Sequence, residues 1–392
     1  MRVVAFGSQP IPINMHVSYL YLYRLVYLRI DRIDVRWKIG LDGPPIELGD
    51  SMARDAHPTP LDSADVILSD LDGVVYRGAA PIPHAITALN SARESKTVGF
   101  LTNNASRLPA DVAEQLTTMG LHADADDVVT SPQATLLLLS NVVEPGAPLL
   151  AVGGPGLTMV LEGAGYRLVR TADEHPDAVV QGFSQHVSWT DLAEATYALA
   201  SGIPWVATNL DTALPLERGL APGNGALVAA IRAVVNREPL AAGKPETALF
   251  DAARERFPGS RWLFIGDRID TDIRGARRSE MSSALVLTGI SRPRDVFAAP
   301  PDARPDFILR DLRDLTLPYP STRLTRNDQF LTSTVSNAVV AAEGQRVRLV
   351  TPGNEPMNVI RATAALIWEY AAAFDSLKLD TELHDVITAA LD

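Results

Sequence analysis

The sequence predicts an α/β fold: a doubly wound parallel sheet, interrupted by an inserted α/β domain and followed by a small α+β appendage. Three observations carry that expectation. From residue 64 onward, apolar runs alternate with helical ones, "DVILSD", "IPHAITALNSAR", "TVGFLTNN" and "RLPADVAEQLTTMG", as a parallel sheet covered by helices on both faces requires. About 140 residues separate "TNNASR" from "AAGKPETALF", far more than a crossover needs, so a second domain is expected between them. After about residue 320 the pattern changes to short strands followed by one amphipathic helix.

Composition narrows the function. A chain of 392 residues, 46% hydrophobic, can bury a sizeable core and is long enough for two or three domains. The net charge is -12 and the longest basic clusters are pairs such as Arg277–Arg278, which leaves no positive stripe for nucleic acid. Cysteine is absent, which removes disulfides, thiolate nucleophiles and cysteine zinc sites, and fits a cytoplasmic location. The seven histidines form no HExxH or close pair. No apolar run approaches the roughly 18 uncharged residues of a membrane span. The nearest, "YLYLYRLVYLRI", is broken by Arg24 and Arg29.

In chain order, residues 1–60 read as an N-terminal extension. A strand-like "RLVYLRIDRIDVRWKI" is followed by the Gly- and Pro-containing linker "GDSMARDAHPTPL". The catalytic fold is expected to start near Ala64, with Met52 as the translation start and residues 1–51 dispensable. Residues 61–146 form the first part of the core. The inserted domain spans 147–238, opening with "APLLAVGGPGL" and closing with "TNLDTALPLERGLAPGNGALVAAIRAVV". Its "VGGPGLTMV" is not a dinucleotide loop, because Met159 stands where the third glycine belongs, and it reads as a tight turn. Residues 239–320 complete the core. The appendage, 321–392, carries the strands "NAVVAAEG" and "QRVRLVT" and a helix from Pro356 with Val359, Thr363, Leu366, Tyr370 and Phe374 on one stripe.

Four short segments carry the chemistry. In "ILSDLDGVVYRG" an apolar strand runs into two aspartates. Residues i and i+2 of a strand point the same way, so Asp70 and Asp72 face a crevice while Leu71 turns into the core, and Gly73 lets the backbone turn sharply. A calcium loop is excluded, since Val75 occupies the position that its glycine needs. "FLTNN" ends a strand in Thr102, whose hydroxyl can donate to an oxygen, and Asn103 and Asn104 suit an anion-binding turn. "AAGKPE" places Lys244 before Pro245, expected to open a helix. A Walker loop is excluded by Glu238 and Pro245. "FIGDRIDTDI" follows a strand with Gly266, Asp267, Asp270 and Asp272, more acids than helix capping calls for.

Together they meet the needs of phosphoryl transfer: a nucleophile, charge-offsetting cations and an acid for the leaving group. Asp70 would attack phosphorus and become an aspartyl phosphate. Asp72, with a raised pKa, would protonate the leaving alkoxide and then deprotonate water. Mg²⁺ would be held by Asp70, the Asp72 backbone carbonyl and Asp267, with Asp272 orienting metal-bound water. Thr102 and Lys244 would grip the phosphoryl oxygens.

"DLDGVVYRG", "FLTNNASR", "AGKP" and "GDRIDTDI" resemble the four ordered motifs of haloacid-dehalogenase-superfamily phosphatases, whose core is a Rossmann-like sheet. The resemblance covers about 64–320. It is narrower with the p-nitrophenylphosphatase and phosphoglycolate phosphatase branch, whose α/β cap lies between the second and third motifs, where the long gap falls here. "VATNLD" and "PGNGALVAAIR" extend it into the cap, which implies substrate contacts at Asn209 and Asp211. With its C-terminal appendage the chain is most similar to actinobacterial glycerol-3-phosphate phosphatases. That likeness implies glycerol 3-phosphate as substrate, with phosphoglycolate, a nucleotide or a sugar phosphate as alternatives. A catalytically silent module of the same fold would be expected to have lost an acid or the lysine, and all are present. The family's tail is similar to part of an acetyltransferase fold, but no Q/R-x-x-G-x-G/A loop for acetyl-CoA occurs here. The expected partner is a small phosphorylated metabolite, with no nucleic acid and no membrane, and with self-association as a homodimer left open.

Overall fold

The computed structural model describes residues 59–216, 218–327, 329–370 and 376–390. The strand-like stretch and linker expected before residue 59 lie outside them, as does Phe374.

Six parallel strands form the main sheet, in the order Phe307–Leu309, Ser282–Val286, Trp262–Gly266, Val66–Ser69, Thr97–Thr102, Val128–Thr130. The central strand is buried along its whole length, which is why "VIL" shows no polar alternation. Side-chain direction still alternates. Ile67 joins Phe100 and Ile265 in a cluster on one face, while Val66 and Leu68 join Leu101 and Phe264 on the other. Helices such as Ala85–Arg93 and Pro109–Thr118 contribute to the first layer, and Ala248–Arg256 to the second.

Register brings the functional strand ends level. Ser69 lies opposite Ile265 on one side and Phe100 on the other. The next residues, Asp70, Gly266 with Asp267, and Leu101 with Thr102, therefore emerge together at the carboxyl edge, where such sheets bind ligands.

The second sheet is also parallel, in the order Leu240–Ala241, Trp205–Ala207, Ala178–Gln181, Pro148–Val152, Arg167–Val169, with an antiparallel hairpin of Ala213–Leu216 and Gly219–Pro222 beside it. Leu240–Ala241 pairs with Val206 and Ala207, so this sheet runs past the expected boundary at 238. "VGGPGLTMV" turns from the Pro148–Val152 strand into the helix Pro155–Gly163. A Cβ at Gly156 would strike the backbone of residues 105–107, so this glycine allows the inserted domain to approach the core loop that follows Asn104.

The third sheet holds Thr322–Arg326, Leu331–Val335, Ala338–Glu343, Arg346–Thr351 and Lys378–Leu379 in that order. Its helix, Pro356–Glu369, does not present a single apolar stripe. Every residue from Met357 to Ile367 is buried, because the helix lies between its own sheet and the main core. Tyr370, at the C-cap, packs against the same cluster.

Candidate active site

The crevice at the strand ends has a volume of about 280 Å³. Its floor comes from the main sheet: Asp70, Asp72, Thr102, Lys244, Asp267 and Asp272. Its roof comes from the inserted domain, with Asn209, Asp211 and Asn224.

Each floor residue is placed by a local backbone device. After Asp70 the chain folds back on itself, with the Val75 and Tyr76 amides both donating to the Leu71 carbonyl. Leu71 is thereby buried while Asp72 opens to the crevice. Gly73 takes φ +84° to complete the turn. A Cβ at Gly73, or at Gly289 across the site, would run into the Asp267 carboxylate. Those two glycines form its cradle, and the Thr288 hydroxyl fastens the cradle shut by donating to the Gly73 carbonyl at 2.7 Å. Gly266 does the same for Asp272, whose side chain lies where a Cβ would be.

The acids are then oriented by hydrogen bonds. Asp272 Oδ2 accepts the Asp267 and Arg268 amides, each at 3.0 Å. Asp267 Oδ2 accepts the Ile290 amide at 2.6 Å. Lys244 Nζ stands 2.7 Å from Asp70 Oδ1 and 2.8 Å from Asp272 Oδ1, with both contacts buried. Pro245 does not open a helix as the sequence suggests. Residues 243–247 form a turn, and the helix starts at Ala248.

Electrostatically the floor is unbalanced. Burial raises the Asp70 carboxyl well above its usual range, reinforced by Asp272 and Asp267 and opposed by Lys244. Burial also raises Asp72, against Lys244 and Arg107; the side chain is open to the crevice but enclosed by its walls. Asp267 is lifted to about 7 by burial and by Asp272. Burial pulls the Lys244 ammonium down, but Asp272 and Asp70 outweigh it and hold the group charged. Four acids and one ammonium in a dehydrated pocket leave negative charge that a cation must offset.

The floor passes the test for one. Carboxylate oxygens of Asp70, Asp267 and Asp272 lie within 4.8 Å of one another, and Asp267 Oδ1 is buried without a hydrogen-bond partner. An all-oxygen, anionic donor set suits a hard divalent ion.

The residues expected to contact substrate, Asn103, Asn104, Asn209 and Asp211, all line the crevice, with part of their hydrogen-bonding capacity already in use. Asn103 is committed: its Oδ1 accepts the Lys244 amide at 2.8 Å and its Nδ2 donates to Asp211 and to the Lys244 carbonyl. Asn209 Nδ2 donates to the Asn103 carbonyl at 2.7 Å, while its Oδ1 accepts the Asp211 amide. Asn104 Oδ1 accepts from the Ser106 amide and hydroxyl, so its side chain closes the turn. Thr102 Oγ1 accepts the Asn104 amide, leaving its proton to donate. Asp211 keeps a face to the crevice and pairs with Arg268 at 3.4 Å.

Three groups were not foreseen. Arg268 lines the crevice between Asp211 and Asp270. Asn224 donates to the Asn209 carbonyl at 2.8 Å and holds the roof loop on its helix. Ile290 and Gly289 form the Asp267 cradle. The last had a visible signal, since "SSALVLTG" is one more apolar strand ending in glycine.

Fold and site define a capped hydrolase with its acids at the ends of parallel strands. A family model described as haloacid dehalogenase-like hydrolase matches residues 67–167, and a second, described as HAD-hydrolase-like, matches 241–315. The D-glycerol 3-phosphate phosphatase of Mycobacterium tuberculosis is 40% identical over 309 residues, 79% of this chain and 87% of that protein. The crystal structure of glycerol phosphate phosphatase from that organism in complex with magnesium superposes with a TM-score of 0.75 at 36% identity, covering 84% of this chain and 98% of the other. The 4-nitrophenylphosphatase of Thermotoga maritima gives 0.61 at 32% identity, covering 66% and 98%. The chain belongs to the haloacid dehalogenase-like hydrolase family, and within it to the enzymes that hydrolyse phosphoric monoesters.

Proposed function

We propose that the protein is a Mg²⁺-dependent phosphatase that hydrolyses a small phosphomonoester, glycerol 3-phosphate first, through an aspartyl phosphate on Asp70. The observation that carries this reading is the convergence of the Asp70, Asp267 and Asp272 carboxylates within 4.8 Å, with Lys244 beside them.

Asp70, Asp267 and Asp272 would hold the ion, which offsets charge on the phosphoryl group when bound. An Asp70 carboxylate oxygen attacks phosphorus in line, and the bond from phosphorus to the leaving oxygen breaks. Lys244, held charged by its two aspartates, and Thr102, with its proton free, face the transferred oxygens. Asp72 has a raised pKa and no charged partner within ion-pair distance among the described residues. It holds a proton for the departing alkoxide. In the second half it takes a proton from the water that attacks the aspartyl phosphate, releasing inorganic phosphate and restoring Asp70.

Crevice volume favours a small leaving group, and the Asp211 carboxylate together with the unpartnered Asn224 Oδ1 in the crevice lining favours one with hydroxyls. The mycobacterial relative supports glycerol 3-phosphate in particular.

Phosphate release measured at neutral pH with Mg²⁺ across glycerol 3-phosphate, phosphoglycolate, a sugar phosphate and a nucleoside monophosphate tests the reading. The highest kcat/KM is expected for glycerol 3-phosphate. Preference for another member would replace the substrate, and release from none would overturn the enzyme reading.

A further inference from the structure

The C-terminal unit shares its core with the loops that carry the metal-binding acids. One hydrophobic cluster contains Leu331, Val335, Met357 and Ile360 from the appendage together with Ile269, Ile273, Val296 and Phe297 from the main domain. Ile269 and Ile273 bracket Asp270 and Asp272, so the segment that presents Asp272 has its apolar side chains in the appendage's core. The helix Pro293–Phe297 starts two residues after Ser291 and abuts the appendage helix Pro356–Glu369.

Hydrogen bonds tie this seam to Asp267. Ile290 N–H donates to the Asp267 carboxylate at 2.6 Å, Ser291 N–H to the Asp267 carbonyl at 3.0 Å, and Ile269 N–H to the Ser291 hydroxyl at 3.0 Å. On the far side of the same short helix, the Trp368 indole N–H donates to the Val296 carbonyl at 2.9 Å, and Arg304 lies over the Trp368 ring at 5.5 Å. Asp267 is thus connected to Trp368 through the hydrogen-bonded backbone of the Ser291–Val296 segment.

We infer that the C-terminal unit sets the geometry of the cation-binding acids, and that Trp368 and Ser291 are positioning residues for Asp267. The inference rests on the metal site proposed above. Outer partners of metal ligands are held to small tolerances because a carboxylate displaced by a fraction of an ångström loses its contact with the ion.

The test is calorimetric titration of Mg²⁺ into the full-length, metal-free protein, with Tm measured alongside. Removing a hydrogen-bonding partner of a metal ligand weakens affinity by about 10- to 100-fold. Ser291→Ala keeps the backbone bond to Asp267 and removes only the hydroxyl that accepts the Ile269 N–H; it and Trp368→Ala both act one step away from the carboxylate and are expected near about tenfold, at the lower edge of that range. Trp368→Phe keeps an aromatic ring under Arg304 but loses the N–H that holds the Val296 carbonyl, so its Mg²⁺ affinity should fall between wild type and Trp368→Ala. Leu383 lies on the helix Thr381–Ala389, which packs on the Pro356–Glu369 helix and the Arg346–Thr351 strand within the appendage. Leu383→Ala should lower Tm and leave Mg²⁺ affinity unchanged. KM for the phosphoester at saturating Mg²⁺ should be the same in all four.

Folded Ser291→Ala and Trp368→Ala proteins that bind Mg²⁺ within twofold of wild type would overturn the inference. So would a Leu383→Ala protein that loses as much affinity as they do. A wild-type protein that takes up no Mg²⁺ would instead overturn the metal reading beneath it.

Discussion

The floor and the roof of the crevice are both lined with polar groups, but they are held by opposite means. On the floor, Asp70, Asp72, Asp267 and Asp272 face a single ammonium, one carboxylate oxygen has no partner, and glycines keep other atoms away from the acids. On the roof, Asn209 and Asp211 bond to each other and to the Asn103 loop facing them, and Asn224 donates to the Asn209 carbonyl, with its Oδ1 left buried without a partner. A site left electrostatically incomplete is kept for something that arrives with charge, while a network of amides bonded mostly within itself keeps a shape. On the proposed function, chemistry belongs to the floor and fit to the roof.

The comparison breaks most readily at Asp70. Asp70→Asn leaves no carboxylate to form the aspartyl phosphate, and kcat should fall by several orders of magnitude, as loss of a covalent nucleophile does. An active variant would move the chemistry elsewhere. Asp72→Asn removes proton transfer and should cost about 10²- to 10⁴-fold on an alkyl phosphate, with a smaller loss on p-nitrophenyl phosphate, whose leaving group needs no proton. Equal losses on the two substrates, with phospho-enzyme formation rate-limiting, would remove that role from Asp72.

Gly289→Ala places a methyl where the Asp267 carboxylate now sits. Mg²⁺ affinity, read by titration, should fall by about 10- to 100-fold, since the ligand is displaced outright. The same titration on wild-type protein should depend on pH. Asp267 is raised to about 7 in the metal-free protein, so below that pH the ion must displace a proton. The Mg²⁺ dissociation constant should then rise by roughly tenfold per unit as pH falls below 7 and level off above it. A constant affinity from pH 5 to 8 would show that Asp267 is not the group displaced. The smallest effect belongs to the roof. Asp211→Asn keeps the shape but loses the charge that faces Arg268, and KM should rise by about three- to tenfold with kcat nearly unchanged, the pattern of lost uniform binding. A fall in kcat without a change in KM would place Asp211 with the floor.

Much of the floor was legible because each residue ends an apolar strand or follows one within six positions, and strand ends in a parallel sheet converge. "DLDG", "FLTNN" and "GDRIDTD" each mark such an end, and Lys244 is marked by its glycine. The roof was legible as residue types but not as roles. Asn103, Asn104 and Asn209 look the same in a sequence whether or not their amides are bonded within the protein, and in the structure each lines the crevice while bonding to neighbouring backbone and side-chain groups. The limits of the helix after Lys244 and of the inserted domain were likewise displaced by a few residues, since they depend on where pairing partners lie.

The appendage marks the far limit of what sequence pattern can reach. Periodicity alone indicates an apolar stripe on the Pro356 helix, because a stripe is a property of one segment. That all its sides are buried from Met357 to Ile367 depends on two different partners, its own sheet and the Ile269–Val296 side of the main core, which lie far apart in the chain. The sequence by itself determined the α/β alternation, the acids at the strand ends and the lysine, each set by local chemistry and spacing. Only the tertiary structure decided which carboxylate oxygens come within 4.8 Å of one another, which groups the asparagines bond to, and that the last domain leans on the first. Those outcomes come from distances between segments, and no local pattern encodes a distance to a residue a hundred positions away.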